Sequence, residues 1–399
     1  MTGTRWLWAA LLVGTSVLSS GCNLFSSRDL SESQQERSTT EWDKSGDLDD
    51  WRMPIGSIAY SSNGKRLVTA TRDVRSLLTC PDCKSLRTFP PPRRITIWEL
   101  SDWQTGPSIS NDRHNIALDC DDCQCSQVRF TPDGNTVVTT TLEGFHLFDA
   151  KSGGLLKHLK TPGLDAQPDS PLKHDSLDNN DNFYPRGGIS ADAKQVVWSR
   201  ADGSLVLREL ETGRERVLNL SRTDVRRVLF SPNGEHLAVS FEVNPLGDDR
   251  PKKPGTIFIV DTKQMELVSV CHPKGPDNRY MWFSSDGRFL ATGDRWQKGE
   301  VSIFETTHGK LLRSLKIDGV IWSTAWSPDG RMFVCGGEAD QGKAGQVTVW
   351  ETDTWRKTAF WKVPSVWGVT ALAFSPDGTT LAEGHSDGTV TFRQVARNE

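Results

Sequence analysis

Residues 374–378 read Phe374-Ser375-Pro376-Asp377-Gly378, and residues 390–393 read Val390-Thr391-Phe392-Arg393. The first stretch ends a β-like run and turns sharply. Asp-Gly suits such a turn, because Gly tolerates positive φ and Asp tolerates it better than most residues. Working outward, the same pattern recurs seven times after residue 55. Its turns are Ser62-Asn63-Gly64, Pro132-Asp133-Gly134, Ala191-Asp192-Ala193, Pro232-Asn233-Gly234, Ser285-Asp286-Gly287, Pro328-Asp329-Gly330 and Pro376-Asp377-Gly378. Each unit closes on an apolar strand, such as Phe145-His146-Leu147-Phe148-Asp149 or Val347-Thr348-Val349-Trp350-Glu351. Apolar residues crowd these strands instead of alternating, which fits sheets packed on both faces.

The spacing between equivalent turn positions runs from 41 to 70 residues. Four short strands per unit at this spacing predict an all-β chain, a seven-bladed β-propeller of four-stranded antiparallel blades over residues 51–396. Phe374-Ser375-Pro376-Asp377-Gly378 and Trp350-Glu351 resemble WD-repeat proteins. Glu often stands where that family ends a strand on Asp, and the family's Gly-His before each repeat is mostly missing. The seventh repeat ends its third strand near Phe392, with no fourth strand left before Glu399. The resemblance implies that an N-terminal segment, here residues near Asp50 to Pro54, supplies that strand and closes the ring.

In such a blade the first-to-second and third-to-fourth turns share one rim. The second-to-third loops and the blade-to-blade connections share the other. The first group reads as short in every repeat. The insertions 72–93, 111–125, 161–186, 242–255, 271–278, 294–299 and 338–345 all fall in the second. Long loops on a rigid scaffold carry function, so one recognition rim is expected. The acids of 161–186 lack the spacing and Gly bend of a calcium loop.

Residues 1–22 read MTGTRWLWAALLVGTSVLSSGC. Trp6 to Leu18 is an apolar run of 13 residues, too short for a mature span and suited to a signal-peptide core. Small residues then lead to Cys22, which resembles a lipoprotein signal with acylation at that Cys; ordinary signal-peptidase cleavage is the alternative. Asn23 carries no retention mark of the Asp type, so the resemblance implies an exported, membrane-anchored protein of the outer membrane, on the periplasmic or cell-surface side. Residues 23–50 are polar and read as a flexible tether.

Cys80-Pro81-Asp82-Cys83 and Cys120-Asp121-Asp122-Cys123-Gln124-Cys125 fall on the same expected rim, with 36 residues between the Cys-x-x-Cys pairs. Cys80, Cys83, Cys120 and Cys123 suit a structural zinc site or disulfides, and the sequence leaves both open. Cys271 and Cys335 read as ordinary buried thiols.

The net charge is −4, from 47 basic and 51 acidic residues, and no basic stripe invites nucleic acid. There is no Gly-x-Ser-x-Gly elbow, phosphate loop or His-Glu-x-x-His motif, so no enzyme is expected. Many of the 15 Trp fall in repeating strand patterns, so most are expected in the core. Arg226, Arg279 and Trp322 stand four residues before an inner-strand aromatic, near the channel mouth, where they suit an anionic or aromatic group. The reading is a membrane-tethered, non-catalytic scaffold for a protein or peptide partner. The alternative is an enzyme or a saccharide or peptide receptor at the mouth.

Overall fold

The computed structural model describes residues 54–71, 95–100, 115–118, 125, 127–141, 144–160, 187–200, 202–222, 225–241, 255–274, 280–293, 299–317, 319–339, 344–363 and 368–395. Blade one comprises β1 (Ile55–Tyr60), β2 (Arg66–Thr71), β3 (Ile95–Glu99) and β4 (Asn115–Ala117). Blade two is β5 (Gln127–Phe130), β6 (Thr136–Thr141), β7 (Gly144–Asp149) and β8 (Leu155–Lys160). Blade three is β9 (Gly187–Ile189), β10 (Gln195–Ser199), β11 (Leu205–Glu209) and β12 (Glu215–Leu218). Blade four is β13 (Val225–Phe230), β14 (His236–Phe241), β15 (Ile257–Asp261) and β16 (Glu266–Cys271). Blade five is β17 (Tyr280–Phe283), β18 (Phe289–Gly293), β19 (Glu300–Glu305) and β20 (Leu311–Lys316). Blade six is β21 (Val320–Trp326), β22 (Met332–Ala339), β23 (Ala344–Glu351) and β24 (Lys357–Val363). Blade seven is β25 (Val369–Phe374), β26 (Thr380–His385) and β27 (Val390–Gln394). Every sheet keeps sequence order with antiparallel neighbours, and no helix occurs among the described residues.

The ring closes through its apolar seams. Ile97 of blade one packs with Phe130 and Phe148 of blade two, and Phe145 of blade two with Trp198 of blade three. Leu207 meets Phe230, Ile259 meets Phe283, Ile303 meets Phe333, and Val349 meets Phe374 in the next four seams. The seventh seam joins Ile55, Ile58 and Leu67 of blade one to Ala371, Ala382 and Val390 of blade seven. Seven sheets share seven seams, whereas an open stack of seven would have six. Crowded apolar strands are therefore required: both faces of a blade lose water, worth about 1.5–3 kcal/mol per large side chain.

One hydrogen-bonded device builds all seven first turns. Ser327 Oγ donates to Asp329 Oδ1 at 2.5 Å and accepts from the Met332 N–H at 2.9 Å. The same pair of bonds recurs at Ser61, Thr131, Ser190, Ser231, Ser284 and Ser375. The residue after each Asp or Asn has positive φ; six are Gly, and Ala193 takes φ 56° in the third copy. The acid ending the third strand serves the next turn. Asp149 Oδ1 accepts from Ser152 N, and Asp261 Oδ1 accepts from Gln264 N.

Three sequence expectations are corrected. The third-to-fourth connection of blade one spans residues 100–114, so that group is not short in every repeat. The stretch 111–125 is not one insertion, because it contains β4, buried Leu118 and buried Cys125. Both ends of 338–345 are strand, since β22 and β23 extend to eight residues each. Gly345 fell within that expected insertion, yet it is a strand position where a Cβ would strike Val363; Gly336 and Gly337 of β22 are equally tight, against Leu372 and Val320. Among the eight described Trp, only Trp198, Trp326 and Trp350 are fully buried; Trp98, Trp282, Trp322, Trp355 and Trp361 keep partial exposure. The fourth strand proposed from Asp50 to Pro54 lies almost wholly outside the described residues, as do most of the long insertions.

Candidate recognition rim

Each inner strand starts on the rim where the long connections attach and ends at a Ser/Thr turn on the other. Four of these starts carry the same irregularity. The β1–β2, β13–β14, β21–β22 and β25–β26 registers slip between Ile55/Ser57, Val225/Arg227, Ile321/Ser323 and Val369/Ala371. A β-bulge re-aims the extra residue and often marks a working site. The residues at these slips are Gly56, Arg226, Trp322 and Thr370. Arg226 and Trp322 thus occupy equivalent places at one end of the ring, both partly exposed. Arg279 lies outside the described residues, as do Cys22, Cys80, Cys83, Cys120 and Cys123.

Trp322 sits in an aromatic group. Its ring meets Tyr280 edge-on at 6.5 Å, and Tyr280 stacks on Trp282 at 5.8 Å. The Trp322 indole N–H is buried with no acceptor among the described residues. Such a lone donor favours a ligand that supplies the missing acceptor. Arg222 adds a guanidinium 4.1 Å above the Phe241 ring, where β14 ends on the same rim. The sequence reading missed Tyr280 and Trp282, although Tyr280-Met281-Trp282-Phe283 is dense in aromatics. It also missed Arg129, a charged residue that stands directly before Phe130 within the inner strand β5. Burial lowers the Arg129 pKa to about 10, opposed by Asp192.

The opposite rim is built differently. Arg66 donates to Ala150 O at 3.0 Å and Gly134 O at 2.5 Å, tying blade one to blade two. Ser285 Oγ donates to Ser327 O at 2.6 Å, tying blade five to blade six. The Thr131 hydroxyl and the Asn135 N–H hold the Asp133 carboxyl below the usual carboxylate range. Every turn acid has local partners, which leaves that rim little unspent chemistry.

Three of the thiols are described. Cys125 Sγ donates to Gln127 O at 3.1 Å, and burial pushes its pKa up to about 12. Burial also pushes Cys271 up to about 12 and Cys335 well above its ordinary value. These three are free thiols that stay protonated at neutral pH, as ordinary buried cysteines do. Among the described residues, no three His, Cys, Asp or Glu side chains converge as metal ligands.

The family described as WD domain, G-beta repeat matches residues 309–351 and 360–392, which cover most of blade six and much of blade seven. Over 120 residues the chain is 29% identical to the small ribosomal subunit protein RACK1y of Oryza sativa subsp. japonica, covering 28% of this chain and 33% of that protein. The match therefore spans about one third of that relative's length. WD40 repeats are thus matched in the last part of a seven-bladed propeller.

Proposed function

We propose that this chain is an exported, lipid-tethered scaffold that binds a protein or peptide partner through the rim carrying its variable connections, and that it catalyses no reaction. One observation carries the reading. The Ser/Thr-turn rim is the same in all seven blades and spends its polar groups on itself, whereas the other rim joins unequal segments and presents Arg226, Trp322 and partly exposed aromatics. A ring with one standardised end and one varied end suits recognition at the varied end. The relative named as a small ribosomal subunit protein supports a role in assembly. Acylation at Cys22, with residues 23–50 as tether, would hold the propeller at the outer membrane. Cys80, Cys83, Cys120 and Cys123 would staple two rim segments through zinc or disulfides.

The test is a crosslinking pull-down of the mature protein from its own cells. Shortening 161–186 or 242–255 is expected to remove a specific partner while leaving the melting transition unchanged. Retention of every partner after both deletions would overturn the reading. A second reading, a receptor for a small anionic or aromatic ligand at the mouth, is favoured by the lone Trp322 N–H. Binding or turnover lost on Arg226→Ala or Arg279→Ala would support it.

A further inference from the structure

Away from the mouth, blade two carries a row of polar side chains across three strands. Thr139 on β6 pairs with His146 on β7, and His146 pairs with His158 on β8. The row alternates with Phe145 and Leu147, which pack towards blade three. It therefore shares the blade-one face with Val137 and Phe148. The two imidazoles stack with centroids 4.0 Å apart and planes at 14°. Thr139 is fully buried, His146 is 7% exposed and His158 is half-buried. Thr139 Oγ1, His146 Nδ1 and His158 Nε2 meet no hydrogen-bond partner among the described residues.

Each such atom has lost water without compensation, and three neighbours in one cross-strand row share that state. Packing alone would be better served by the apolar side chains that fill the rest of this seam. Neutral imidazole nitrogens with free lone pairs are preferred ligands of zinc, copper and nickel ions.

We propose that His146 and His158 form a two-imidazole site for a zinc-class divalent cation in the seam between blades one and two. One nitrogen from each ring binds the ion, and water completes its shell. Thr139 Oγ1 accepts a hydrogen bond from that water and fixes its orientation. The lone pairs converge only if the rings tilt out of their stack, and half-buried His158 is the ring with room to swing. The site uses no cysteine, so it stands apart from the zinc or disulfide reading of the Cys pairs.

The test uses the mature full-length chain with its accessible thiols alkylated, so that cysteines do not compete. Zinc is titrated by calorimetry into this protein and into its His158→Gln variant. One zinc per wild-type chain is expected, and none in the variant at an unchanged metal-free melting temperature. Copper(II) loaded into the wild type is expected to show nitrogen coupling from two imidazoles in its electron paramagnetic resonance spectrum. If His158→Gln does not fold, that spectrum decides alone. Equal zinc binding in both proteins, no binding to the wild type, or copper without imidazole nitrogen would overturn the proposal.

Discussion

The two ends of the ring are made from the same strands and obey different rules. At one end, seven turns repeat a Ser or Thr that donates to an Asp or Asn two residues on and accepts from the N–H five residues on. At the other end four of the seven inner strands begin with bulges, and the connecting segments share neither length nor composition. The turn end holds hairpins in register and ties neighbouring blades. Once it does so, the far end is free to vary without cost to the ring. Substitutions at the turn end should therefore show in stability, and those at the bulged end in binding.

The largest effect should come from the seams that both ends depend on. Phe333 is fully buried between blades five and six, and Phe333→Ala should cost about 3–5 kcal/mol in denaturant unfolding. A cost below about 1 kcal/mol would mean that this seam is not close-packed.

Acid should act next, through blade two. Burial, and then the neighbouring His158, lower the His146 pKa to about 4. A buried neutral His contributes stability that is complete above its unfolded pKa near 6.5 and is lost as pH falls towards 4. In chelator, unfolding stability should drop by up to about 3 kcal/mol across that window. The His146→Leu variant should show a shallower drop.

Within the turn device, Ser327→Ala removes the acceptor for Met332 N–H and the donor to Asp329, and should cost about 1–2 kcal/mol. Thr324, three residues earlier on β21, makes no such bond through its hydroxyl. Thr324→Val should be close to neutral, which makes it the control for Ser327. The smallest effect runs the other way. Ala193 holds φ 56° where the other turns have Gly, so Ala193→Gly should stabilise by up to about 1 kcal/mol. A loss there would show that blade three builds its turn by other means.

The turn end was legible in the sequence because each turn sets an Asp or Asn, which bonds the preceding Ser or Thr, before a positive-φ residue that is Gly in six of seven copies, and that pairing repeats. The closing strands were legible because burial on both faces demands continuous apolar runs. The far end was legible only in part. β4 is three residues, Asn115-Ile116-Ala117, too short for a pattern, so the long connection before it went unseen. The ends of β22 and β23 fell inside the expected insertion 338–345; Gly345 there serves close approach to Val363, a cause that lies in a neighbouring strand. Trp322 was singled out from its distance to Trp326, but its contact with Tyr280 depends on how blade five meets blade six. The His146–His158 stack is a matter of register across β7 and β8, which no local spacing reveals.

The most direct test of the two-ended account places one photo-crosslinking residue at either end of the same strand. Position 322 lies at the bulged start of β21, and position 328 lies in the turn that follows its end. In living cells, a crosslinker at 322 should capture a discrete partner and one at 328 should capture none. Capture of the same partner at 328, with none at 322, would contradict the assignment of recognition to the varied rim.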